Sequence, residues 1–220
     1  MQKGLIKSYL FDISLLNESK FVELLKEVKQ YRRDRISKLM LKEAKYLSLA
    51  VELLIKKACL DFDIDYDNEE IVFNEFGKPS FKNSNLFFNT AHSGKYALLV
   101  ISDVMCGCDI EQIRGYKEKV AERFFTPQEK KYLEITPEKE DLFYRLWTLK
   151  ESYLKCIGKG LSVPINSVEL IAKGNNIIIK NQNNFQFYEF KHDNYRVAFC
   201  LNIDEKEKEK YKHNTSLISL

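Results

Sequence analysis

The chain has 220 residues, 45% hydrophobic and 13% aromatic beside 30% charged, which is enough apolar material for one large domain or two small lobes and too much for a disordered chain. Its 35 basic and 32 acidic side chains leave a net charge of +3, too even a balance to steer the whole molecule onto nucleic acid. No run approaches the ~20 apolar residues of a membrane helix, the opening MQKGLIKSYLFDI lacks a signal peptide's pattern, and five cysteines without C-x-x-C spacing suggest neither a disulfide framework nor a zinc site, so a soluble cytoplasmic protein is expected.

A first strand is predicted from Leu5 to Ile13, after which Phe21, Leu24, Leu25 and Val28 recur at helical spacing. A longer helix follows, with Met40, Ala44, Leu47, Val51, Leu54 and Ala58 on one stripe. Between Lys26 and Lys45 stand eight basic residues against Glu27, Asp34 and Glu43, the clearest basic patch in the chain. The acidic segment Asp61 to Glu70 could offer oxygen ligands, but an EF-hand loop begun at Asp61 needs Gly and Glu where Tyr66 and Val72 stand. Short strands are predicted at 71–73, 86–90, 96–102 and 106–110. The second half repeats this outline, with helices and then strands near 167–171, 176–180, 185–190 and 195–201. The tail from Asp204 to Lys212 alternates acidic and basic side chains and reads as a solvated, frayed end.

The chemistry concentrates in three places. In GCDIEQI (Gly107 to Ile113), strand alternation puts Asp109 and Glu111 on one face, and two adjacent carboxylates are best explained by a cation. In DLFYRLWTLKESYLKCIG (Asp141 to Gly158), Leu142, Leu146, Leu149 and Tyr153 form a buried stripe, while steps of four stack Trp147, Glu151 and Lys155 on a second face. Two strand carboxylates and one helix carboxylate suit an oxygen-ligated divalent cation, magnesium or calcium above zinc, with Lys155 paired to a phosphate. Magnesium keeps few protein ligands, which points to a nucleotide or pyrophosphate substrate. The third place is FNTAHSGKY (Phe88 to Tyr96), where Asn89, Thr90, His92 and Ser93 are expected to leave a strand through a polar turn able to meet an anion. The nearby FGKPSF adds Gly77, Lys78 and Pro79.

In this combination the chain resembles the Sfp-type 4'-phosphopantetheinyl transferases, from about Val28 to Phe199. The resemblance is strongest in GCDIEQI and FYRLWTLKESYLKCIGKGLS, preceded by the GKP element and the Asn-x-x-His-Ser stretch. It implies an α+β fold of two lobes related by pseudo-twofold symmetry, with the ligand cleft between them: residues 1–103 form the coenzyme A 3'-phosphate and adenine side, and residues 104–220 the metal and pyrophosphate side. It further implies a magnesium-dependent transferase, with manganese as a substitute, that moves 4'-phosphopantetheine from coenzyme A to a serine of an apo acyl or peptidyl carrier protein and releases 3',5'-ADP. Such chemistry serves fatty acid, polyketide or nonribosomal peptide biosynthesis. Asp109, Glu111 and Glu151 are the implied metal ligands. Lys155 neutralises the pyrophosphate, Lys150 is a further implied coenzyme A contact, and Trp147 completes the signature. Arg32, Arg35 and Ser48 match the 3'-phosphate site, Lys78 and Pro79 the adenine side, and His92 a phosphate contact. Glu151 or Glu129, directly or through water, would take the serine proton.

Two departures stand out: Ala91 where relatives often carry Ser, implying one missing phosphate hydrogen bond, and Leu47 where they often carry Arg. Arg35 and Ser48 would lie roughly 140° apart on one continuous helix, so a break is expected between Arg35 and Glu43. A chain holding both lobes needs no partner to form the site, so a monomer without nucleic acid or membrane is expected. The rival readings are a magnesium-dependent nuclease, which should show a broad basic groove, and an inactive coenzyme A or carrier-binding module, which has no need of three intact carboxylates.

Overall fold

Both halves of the chain run through the same order of elements: a strand, two short helices, a long helix, a small hairpin and a larger hairpin. The computed structural model describes residues 4–173, 176–211 and 215–217. In the first half these elements are β1 (Ile6–Asp12), α1 (Glu18–Leu25), α2 (Gln30–Ser37), α3 (Lys42–Asp61), β2 (Ile71–Phe73) with β3 (Pro79–Phe81), and β4 (Phe87–Ser93) with β5 (Tyr96–Ser102). In the second they are β6 (Cys106–Gln112), α4 (Glu118–Phe124), α5 (Pro127–Ile135), α6 (Lys139–Ile157), β7 (Leu170–Lys173) with β8 (Asn176–Ile179), and β9 (Phe185–His192) with β10 (Tyr195–Asn202). A last strand, β11 (Thr215–Leu217), runs parallel to β1.

The two main sheets have the orders β11-β1-β5-β4 and β6-β10-β9. Strand β5, YALLVIS, is buried at every position because both of its faces are covered. Ala97, Leu99 and Ile101 pack with Leu49, Ala50 and Leu54 of α3. Leu98 and Val100 point the other way and meet Cys108, Ile110, Val197 and Phe199 of the second sheet. Strand β10 alternates likewise, turning Ala198 and Cys200 toward Leu149 and Tyr153 of α6. The layers therefore run α3, first sheet, second sheet, α6, with one apolar core between the sheets and one under each long helix. Asn89 of β4 stitches the sheets together, its Oδ1 accepting from the Cys108 N–H at 2.9 Å.

The expected break between Arg35 and Glu43 is present, since α2 ends at Ser37 and α3 begins at Lys42. The break ejects Met40 from the predicted stripe: it is 92% exposed, and Tyr46, Leu49, Ala50, Leu53 and Leu54 form the buried face instead. His92 and its neighbours lie within β4 rather than in a turn, and the hairpin reverses one step later at Gly94 and Lys95. The tail is folded as far as Tyr211. Residues Glu205–Lys210 form a 3₁₀ turn, and Tyr211 is buried with its carbonyl accepting from Tyr188 Oη at 2.8 Å. Lys212 lies outside the described residues.

Candidate active site

A pocket of about 600 Å³ opens where the α2–α3 break lets the two helices face one another across the edge strand β4. Arg32 and Arg35 enter it from α2, Ser48 from α3, and His92 from β4, where Phe88, Thr90 and His92 share a face by strand alternation. The small hairpin closes it with Phe73 and Pro79. The two arginines differ. Arg32 is buried, and its Nε donates to Glu52 Oε2 at 2.7 Å while Nη1 reaches Ser48 Oγ at 3.4 Å. Glu52 has no exposed surface and also accepts from the Tyr31 and Tyr66 hydroxyls at 2.8 and 2.7 Å. Arg35 is exposed and has no ion-pair partner among the described residues. The His92 imidazole is held below its ordinary pKa by desolvation, then by Lys155 and Arg35, which records the cationic character of this wall.

The acidic centre forms where β6 meets α6. A Cβ on Gly107 would stand 2.1 Å from Ser152 O and 2.3 Å from Cys156 N, so only glycine admits this approach of strand to helix. Asp109 and Glu111, two and four residues on, share the helix-facing side. Lys155 Nζ donates to Asp109 Oδ1 at 2.7 Å, while Asp109 Oδ2 is buried without a hydrogen-bond partner. Burial pushes the Asp109 carboxyl up to about 7, with Glu111 and Glu151 adding to the rise and Lys155 opposing it. Glu151 is raised for the same reasons, by desolvation and by Glu111. Lys155 is desolvated too, yet Asp109, Cys108 and Glu151 outweigh that and hold its charge more firmly than in water. Glu111 accepts from Ser93 Oγ at 3.2 Å, which ties the centre to β4 one residue past His92.

Among the described residues no group of three His, Cys, Asp or Glu side chains is gathered as a metal cluster, because Lys155 engages Asp109 and Ser93 engages Glu111. The donor set is nonetheless suited to a hard cation. It comprises three carboxylates, of which Asp109 and Glu151 are raised in pKa by burial and then by nearby like charge, and Asp109 keeps an orphaned buried oxygen.

The geometry departs from four sequence expectations. Glu129 and Lys150 are wholly buried and paired with each other at 2.6 Å. Glu129 also accepts from Thr126 N in a capping box and from Leu170 N, and Lys150 reaches the carbonyls of Phe124 and Ile165. Glu129 thus has no exposed surface and its lone pairs are engaged inside the protein, and Lys150 is turned into the core away from the pocket. Lys78 turns its ammonium out of the pocket to the carbonyls of Cys106 and Cys156. Ala91 faces the core between the sheets, so its missing hydroxyl is not missing from the pocket. Trp147 packs against Phe143 and Phe124 beside the site.

Glu52 escaped the sequence reading, and Ser93, expected in an anion-meeting turn, bonds Glu111 instead. Glu52 had a signal: a lone carboxylate within AVELLI, on an otherwise apolar stretch, must be paired if it is buried.

The family model of the 4'-phosphopantetheinyl transferase superfamily matches residues 105–200. The chain is 39% identical over 142 residues to the 4'-phosphopantetheinyl transferase gsp of Aneurinibacillus migulanus, a match covering 63% of this chain and 59% of that one. It is 30% identical over 156 residues to the 4'-phosphopantetheinyl transferase ffp of Bacillus subtilis, covering 69% and 70%. A holo-(acyl-carrier-protein) synthase from Bacillus anthracis, solved in complex with CoA (3',5'-ADP), is similar at 19% identity and a TM-score of 0.40, over 46% of this chain and 97% of that one. The chain thus spans 59% of the length of the first relative and over two thirds of the second. No helix among the described residues is long and apolar enough to cross a membrane. With sequence kinship over more than two thirds of both partners in the second match, the chain belongs to the 4'-phosphopantetheinyl transferase superfamily.

Proposed function

We propose that the protein transfers 4'-phosphopantetheine from coenzyme A to a serine of an apo acyl or peptidyl carrier protein, with magnesium, and manganese in its place, as the metal. One observation carries the reading: Arg32, Arg35, Ser48, Pro79 and His92 line one pocket, and Ser93, next to His92, bonds the acidic centre of Asp109, Glu111 and Glu151. In this reading residues 1–103 hold the nucleotide end of coenzyme A and residues 104–220 its pyrophosphate.

Each chain residue then has a physical task. Arg35, exposed and unpaired, receives the 3'-phosphate, and Arg32 adds charge from a side chain already locked by Glu52, so little rotamer entropy is lost on binding. His92 lies on the same wall and offers an imidazole hydrogen bond to the phosphates. Asp109, Glu111 and Glu151 would hold the magnesium, which when bound neutralises charge on the pyrophosphate. Lys155, whose charge is secured by Asp109, stabilises the same phosphates. The carrier serine oxygen attacks the β-phosphorus, the bond from that phosphorus to the bridging oxygen breaks, and 3',5'-ADP leaves. Glu151, half-buried at the acidic centre, takes the serine proton.

The test incubates the purified protein with coenzyme A, magnesium chloride and an apo carrier protein and reads the carrier's intact mass. One added phosphopantetheinyl group on serine is expected. Carriers of fatty acid, polyketide and peptide synthesis all left unmodified would overturn the proposal.

A further inference from the structure

Lys78 sits between Gly77 and Pro79, both of which line the pocket, yet its ammonium leaves the pocket and crosses to the other half of the molecule. It donates to Cys106 O at 2.9 Å and to Cys156 O at 2.8 Å. Cys106 opens β6 three residues before Asp109, and Cys156 follows Lys155 in the last turn of α6. That turn has carbonyls without intrahelical partners and the negative end of the helix dipole, so a cation is favoured there. A second tie runs beside the first. Asn74 Nδ2 donates to Gly158 O at 2.9 Å, while Asn74 Oδ1 accepts from the Lys78 and Phe76 backbone N–H groups at 2.8 and 3.0 Å. Gly158 ends the helix at φ +65°, and a Cβ there would stand 2.7 Å from Lys78 Cδ, so the helix end and the lysine stem are fitted to each other.

We infer that Lys78 is a positioning residue. It clamps the hairpin that walls the nucleotide pocket to both β6 and α6, and so fixes Glu151 and Lys155 against Asp109. Charge-assisted bonds to two buried carbonyls make the clamp stiff, and losing them frees the helix end that the acidic centre depends on. The assignment rests on the transferase reading for its catalytic consequence, but its mechanical part does not.

The experiment compares wild type with Lys78→Met, which keeps the stem and removes the charge, and with Lys78→Arg, which keeps the donors. For Lys78→Met, kcat falls by about ten- to a hundredfold, as small misplacements of catalytic groups do, while KM for coenzyme A stays within about threefold. Lys78→Arg recovers part of the loss, and amide hydrogen exchange across residues 152–158 quickens in Lys78→Met by about tenfold. A rise in KM alone would make Lys78 a coenzyme contact and overturn the inference, as would unchanged exchange at the end of α6. Should wild type modify no carrier, the transferase reading fails, and the exchange measurement still decides on the clamp. If Lys78→Met does not fold, Asn74→Ala removes the neighbouring tie and is expected to speed exchange at 152–158 in the same direction by less; no change there counts against the clamp.

Discussion

Helices α3 and α6 hold the same place in the two halves, each backing its own sheet, yet they present different chemistry. Toward the pocket α3 offers Ala44, Ser48 and Val51, and its buried carboxylate Glu52 is spent inside on Arg32 and two tyrosines. Helix α6 offers Glu151 and Lys155, and beside them Asp109 keeps an unsatisfied buried oxygen. In the first half Arg32 is satisfied internally, while Arg35 on the pocket wall has no ion-pair partner among the described residues. In the second, carboxylates are crowded until burial and like charge raise their pKa values. A repeated architecture can therefore be specialised by changing which charges find internal partners, with no change in the order of elements.

The largest effect expected from breaking this contrast is on turnover. Asp109→Ala and Glu151→Ala should each reduce carrier modification by about 10²–10⁴-fold while the circular dichroism spectrum stays native, because these groups are held at a cost to stability rather than for it. Near-normal turnover in both would remove the acidic centre from the chemistry.

Glu129→Gln sharpens the contrast between a carboxylate kept for reaction and one kept for folding. It strands the Lys150 ammonium in the core, and breaking such a buried pair costs about 3–5 kcal/mol, to be read from urea denaturation. In the fraction that remains folded, turnover should stay within about threefold of wild type. A stable variant that is inactive would restore Glu129 as the base.

A smaller, ligand-specific effect is expected from Arg35→Ala. A charge-assisted contact is worth about 1.5–3 kcal/mol, or roughly ten- to a hundredfold in binding. Affinity for coenzyme A should fall by that factor in titration calorimetry, while dephospho-coenzyme A is affected little. Equal weakening of both ligands would reduce Arg35 to general electrostatics.

The smallest effect concerns the far end of α3. Desolvation alone would raise the Asp61 carboxyl, but hydrogen bonds from Lys57, Lys7 and Tyr9 outweigh it and bring the pKa down to about 2. A depressed folded-state value means that Asp61 adds stability above its ordinary value of 3.8, and that this contribution fades as pH falls toward 2. Asp61→Asn should therefore flatten the acid limb of the stability curve between pH 4 and 2, as followed by denaturant midpoints; an unaltered limb would show that other carboxylates control it.

Much of the site was legible because its residues are linked by short-range periodicity. Period-two alternation put Asp109 and Glu111 on one face, and period-four spacing put Glu151 and Lys155 together on the long helix. The angle between Arg35 and Ser48 on a continuous helix demanded a break, and the chain breaks at residues 38–41. Strand positions were readable for the same reason, since a half-buried or fully buried strand writes its faces into its own composition.

What sequence could not decide was how each polar group is satisfied. Lys155 meets Asp109 across 46 positions, Glu129 accepts from Leu170 across 41, and Lys78 reaches Cys156 across 78. Nothing local distinguishes a lysine that reaches for a phosphate from one that reaches for a backbone carbonyl, or a carboxylate that takes a proton from one locked in a capping box. A buried charge goes to whatever partner the packing brings within about 3 Å, and only the closure of the layers determines which partner that is.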